Sequence, residues 1–72
     1  LPESDAAFAD HLPRVDSVAR ARADYELARK EAARIEEEIK RGVGSGAVLD
    51  SARTKVQVAK TALDLAETEA RV

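Results

Sequence analysis

Two stretches of this chain carry the same apolar rhythm. Val18, Ala21, Tyr25, Ala28, Ala32, Ile35 and Ile39 recur at alternating steps of three and four residues, and Leu49, Ala52, Val56, Ala59, Leu63, Ala66 and Ala70 repeat the pattern. On an α-helix that alternation lines one side with apolar groups, and a narrow apolar seam is completed by a second seam. Between the two lies Gly42-Val43-Gly44-Ser45-Gly46, too short to carry one arm away from the other and too Gly-rich to continue a helix. The expected fold is all-α: an antiparallel two-helix coiled-coil hairpin, with a short N-terminal helix or tail and the capacity to assemble into a helical bundle.

The arms have readable ends. Residues 1–12 are expected to form the separate tail or short helix, in which Pro2, Glu3 and Asp5 suit a helix start and Leu1, Phe8 and Leu12 share a face. Pro13 lacks an N–H and crowds the preceding turn, so it predicts a boundary and the first residue of the long arm. The hairpin then spans 13–72, with a first arm over 13–41, a turn over 42–46 and a second arm over 46–72. Lys40 and Arg41 place cations at the negative end of the first arm, Gly42 is the natural left-handed residue just past it, and Ser45 is the expected N-cap of the second. Outside the seams, Glu26 and Lys30, Arg34 and Glu38, Glu36 and Lys40, Glu37 and Arg41, Lys60 and Asp64, and Glu67 and Arg71 stand four apart, the spacing of weak surface ion pairs.

Folding the chain about Gly44 sets Ile39 against Leu49, Ile35 against Ala52, Ala32 against Val56, Ala28 against Ala59, Tyr25 against Leu63, and Val18 against Ala70. Large residues then meet small ones, the arrangement that lets side chains interdigitate. Half of the seam positions are Ala, which bury little surface. A further stripe of Val58, Leu65 and Val72 runs at heptad spacing about 200° round from the seam positions that precede its members. It predicts a second interface, toward other protein helices supplied by self-association or by the remainder of a parent protein.

Composition closes off other classes. The 72 residues include no Cys, so neither a disulfide nor a thiolate metal site is available, and the formal net charge is -2. A nucleic-acid partner is not expected, because there is no basic excess and only Phe8 and Tyr25 are aromatic. No apolar run approaches the ~20 residues of a bilayer span, so direct membrane insertion is not expected. The chain opens at Leu1 rather than Met, as a piece of a larger protein would.

Catalytic groups do not assemble. His11 is the single histidine, and one imidazole near Asp10 and Asp16 falls short of a metal-ligand set. The serines lack a nearby base. Glu36, Glu37 and Glu38 splay around their helix, and Gly42-x-Gly44-x-Gly46 follows no strand as a dinucleotide fingerprint must. No catalytic residue, cofactor or metal is expected, and the chain reads as a non-enzyme.

The run Gly42-Val43-Gly44-Ser45-Gly46-Ala47-Val48-Leu49-Asp50-Ser51-Ala52 resembles the hairpin tip of bacterial periplasmic adaptor proteins, also called membrane fusion proteins. Gly42, Ser45, Leu49, Asp50 and Ala52 fit that tip pattern, and Ala59, Leu63 and Ala66 continue its heptads. Arg34 stands eleven residues before Ser45, as in the adaptor tip, while Glu38 occupies the position of a usual Leu, Val48 that of an acid and Gly44 that of a β-branched residue. The region is similar also to the helical repeats of outer-membrane efflux channels. The resemblance implies a periplasmic spacer or docking arm of an export or efflux assembly. Its tip residues Arg34, Gly42, Gly44, Ser45 and Gly46 would then meet a channel protein. The alternative is a self-associating regulatory or sensory helical-bundle domain, and a small-molecule or metal-binding bundle has only His11 to point to it.

Overall fold

The structure, a computed structural model, describes the backbone of residues 2–71 and the side chains of residues 16–71; Leu1, Val72 and the side chains of residues 2–15, His11 among them, lie outside the described residues. Two helices account for almost all of it, α1 over Pro2–Lys40 and α2 over Gly46–Arg71. They pack against each other as a helical hairpin. With 39 residues, α1 is about 58 Å long at 1.5 Å per residue, which matches the 60 Å long axis of the molecule. The 26 residues of α2 reach about 39 Å, so the N-terminal part of α1 continues some 20 Å past the end of its partner.

No helix end falls at Pro13, where the sequence predicted a boundary. α1 passes straight through. A proline inside a helix removes one backbone hydrogen bond, here to the carbonyl of Ala9, and locally costs about 3 kcal/mol. The Ala-rich residues on either side supply strong helix propensity, and the helix tolerates the single defect.

The seam lies where the alternation placed it. Ile35, Ala52 and Leu63 are buried, and Val18, Ala21, Tyr25, Ala28, Ala32, Ile39, Leu49, Val56, Ala59 and Ala66 are half-buried. Ala70 is the exception and is exposed. It stands in the last turn of α2, where its single methyl group remains uncovered. Near that end Arg22 donates to Glu67 across the seam at 3.5 Å, an exposed ion pair. Near the tip, a Cβ built on Gly44 would stand 3.6 Å from Ile39 Cγ1.

With two layers and no third, the hairpin leaves much surface wet. A compact monomer of this mass exposes about 4,400 Å² by the usual size scaling, whereas this chain exposes 5715 Å². Among the described residues no helix is long and apolar enough to cross a membrane.

Candidate interaction surfaces

The tip is built by backbone geometry. Gly42 has φ +82° and Gly44 φ +96°, both in the left-handed region that a side chain disfavours. The Val43 N–H donates to the Glu38 carbonyl at 2.8 Å and the Gly42 N–H to the Ile39 carbonyl at 2.9 Å. This pair of bonds, six-to-one and five-to-two, is a Schellman motif with Gly42 at its left-handed position. It satisfies carbonyls that the end of α1 would otherwise leave bare. Ser45 then caps α2: its Oγ accepts from the Val48 N–H at 3.3 Å, and its carbonyl accepts from the Leu49 N–H at 3.2 Å. Gly46 is the first residue of α2 and has nothing within 4 Å of a built Cβ. Val43 projects at the apex and is 59% exposed.

Gly42, Gly44, Ser45 and Gly46 thus share one place, and Arg34 does not join them. It sits on α1 about 15 Å below the apex at the helical rise. Its Nε donates to Glu31 Oε2 at 3.2 Å, its Nη2 pairs with Glu31 Oε1 and its Nη1 with Glu38 Oε1. The hydrogen bond from Arg34 pulls the Glu31 carboxyl below the ordinary carboxylate range against the opposing effect of desolvation, with the charges of Arg34 and Lys55 adding less. The same bond raises the Arg34 guanidinium. Glu38, which stands where the adaptor tip carries Leu, has converted this Arg into the centre of an acid-base-acid cluster. Other surface pairs are Arg20 with Asp16 and Lys40 with Glu37.

The two broad faces of the hairpin differ in chemistry. On one, Val48 shares a groove with Glu31, Ser51 and Lys55, and Lys55 shares the next with Asp24, Val58 and Ala62. Val58, Ala62 and Leu65, with Gln57 and Thr61, line a third depression on the outer side of α2, continuous with that face through Val58 and Ala62. Leu27 falls on this face too, because it lies three residues from Asp24 and four from Glu31, both of which line those grooves. Leu27, Val48, Val58 and Leu65 are 68%, 50%, 65% and 58% exposed. With Val43 at the tip, they are all the exposed large apolar side chains of the described residues. The opposite groove is lined by Tyr25, Arg29, Glu36, Arg53, Gln57 and Lys60 around small seam residues. There the Arg29 guanidinium lies 5.6 Å from the centre of the Tyr25 ring, within cation–π range.

Val58 and Leu65 therefore stand exposed where the second stripe was predicted, while Val72 lies outside the described residues. Sequence reading missed Leu27 and Val48. Each is isolated on its own helix, and only the fold brings them beside Val58 and Leu65. The available signal was a flanking row on α1 of Ser17, Arg20, Asp24, Leu27, Glu31 and Arg34, which keeps the three-four spacing beside the seam.

Among the described residues no group of three His, Cys, Asp or Glu side chains is placed to hold a metal ion, and no polar or charged residue is buried. No family model, no curated protein and no solved structure matches the chain.

Proposed function

We propose that the chain is a non-enzymatic helical-hairpin interaction module that works by presenting helix surface to other protein helices. The observation that carries this reading is the uneven face: four large apolar side chains stand in the open along one side of a two-layer fold. Monomeric proteins rarely keep such a row bare without a partner for it.

The more specific form of the reading is a spacer or docking arm of a bacterial envelope export or efflux assembly, in the periplasm, with the apex meeting a channel protein. Its support is the resemblance at the tip together with the apex itself: a stiff turn with Ser45 capping α2 and Val43 projecting beyond it. Arg34 serves that reading as part of the Glu31–Arg34–Glu38 cluster on the shaft, so its contribution is to hold the helix surface below the tip.

The test uses the full chain against a purified outer-membrane efflux channel immobilised on a biosensor. Specific association is expected, abolished by Ser45→Arg and weakened by Arg34→Ala. Absence of association by the unmodified chain, or association that both substitutions leave unchanged, sinks the tip-docking form.

A further inference from the structure

The apolar face has an internal symmetry. Along α2 the residues Ser51, Lys55, Val58, Ala62, Leu65 and Glu69 succeed one another at alternating steps of four and three, a second seam turned roughly 100° from the first. All six are exposed. Laid antiparallel upon itself with Ala62 at the centre, this row sets Val58 against Leu65 of a second copy, Lys55 against Glu69 of the second copy, and Ala62 against its own mate. Apolar meets apolar, cation meets anion, and the smallest side chain falls on the axis where two helices come closest. Lys55 and Glu69 are separated by about 21 Å along one helix, so a single hairpin cannot pair them.

The fold extends this match to α1. The hairpin register places the level of Ala62 opposite the stretch between Asp24 and Leu27. Reversing α1 about that level brings Arg20 beside Glu31 of the second copy. The unfavourable juxtaposition is Asp24 with Leu27, which are neighbours in the same row. Reversed about Ala62, α2 overlaps its mate over residues 53–71, about 28 Å by the helical rise, and the molecule is 20 Å across. The contact thus occupies a footprint of roughly 570 Å² on each copy, near the lower bound of specific interfaces.

We propose that the face bearing Leu27, Val58 and Leu65 closes on a second copy of this chain about a two-fold axis through Ala62, forming an antiparallel four-helix bundle with its two tips pointing in opposite directions and Val48 left outside the contact. The proposal rests on reading the hairpin as a helix-packing module, and a strictly monomeric chain would overturn the dimer while leaving tip docking untouched.

The chain has no Cys, which makes a single introduced thiol informative. Full-length Ala62→Cys treated with a short bismaleimide is expected to give a covalent dimer, and Ala33→Cys, on the opposite groove, is expected not to. Light scattering should give twice the 7.8 kDa chain mass for the unmodified protein. Lys55→Glu should weaken association about tenfold by turning both symmetry-related attractions into repulsions. Adding Glu69→Lys to it should restore the dimer, and circular dichroism will show that each variant stays helical. A mass of one chain up to millimolar concentration, equal cross-linking at Ala33→Cys and Ala62→Cys, or a double charge reversal that fails to restore association overturns the proposal.

Discussion

Leu63 and Leu65 are the same residue type, two positions apart on one helix, and the structure assigns them different work. Leu63 is 9% exposed and Leu65 58% exposed. Truncating Leu to Ala removes the equivalent of three methylenes, worth about 0.8 kcal/mol each when buried. Scaled by burial, Leu63→Ala should cost about 2 kcal/mol. No large cavity penalty is added, because the open flanks of a two-layer fold can close over the gap. The same scaling gives Leu65→Ala at most about 1 kcal/mol. Part of that cover comes from its own helix, and the better helix propensity of Ala offsets a few tenths more. For a chain this short, 1 kcal/mol moves the melting midpoint by about 4–8 °C, so the two variants should melt some 5–15 °C apart. The assay is thermal and urea unfolding followed at 222 nm, at concentrations low enough that the midpoint no longer depends on them. Equal losses in the two variants, or a greater loss for Leu65→Ala under those conditions, would refute the assignment of Leu63 to the seam and Leu65 to the open face. At high concentration the Leu65 effect should grow, because the proposed dimer stabilises only the face that Leu65 occupies.

Three further outcomes follow from the tip and the shaft. Gly46→Ala should raise stability by about 0.5–1 kcal/mol, since the position is helical and its Cβ meets open space; Gly42→Ala should lower it by about 1–2 kcal/mol, because φ is +82° there; denaturation midpoints of the pair check both signs. Ser45→Ala should cost about 1 kcal/mol by leaving the Val48 N–H without its cap, and Ser45→Asp should largely retain it; faster amide exchange at Val48 in the Ala variant is the local readout. Glu31 has its carboxyl held low by Arg34, so its contribution is present above the ordinary carboxylate pKa and is lost as pH falls through the lowered folded value. Carbon-detected titration should find the Glu31 midpoint below the ordinary carboxylate value and Arg34→Gln should raise it; an unmoved midpoint would dissolve the cluster.

How far the sequence could be read differed by element. The seams were legible because a three-four alternation has one geometric meaning on a helix, and only Ala70, in the last turn of α2, departs from it. The tip was legible for a similar reason: Gly42 and Gly44 occupy backbone angles that few other residues accept. Pro13 misled because its local penalty was read as decisive, when the helix on both sides carries it. Surface charge was the least legible. Arg34 does pair with Glu38, but Lys40 chose Glu37, and Glu67 is held by Arg22 on the other helix. Weak pairs of ~0.2–0.5 kcal/mol leave several partners nearly degenerate, and spacing alone does not choose among them.

The difference between the two faces belongs to another level. Neither helix announces it: Leu27 is a lone Leu among charges on α1, and Val48 opens α2 beside the turn. Only when the Schellman turn reverses the chain and the seam fixes rotation do these residues align with Val58 and Leu65, while Arg29, Arg53 and Lys60 gather on the reverse side. A hairpin whose seam is half Ala has little to gain by further burial between its own arms. Five large apolar groups, Leu27, Val43, Val48, Val58 and Leu65, lie outside the seam, where the two-helix fold does not reach them. Such a distribution stabilises the hairpin modestly and its next layer substantially. The stability of this chain should therefore depend on concentration or on a partner more steeply than on any single surface charge.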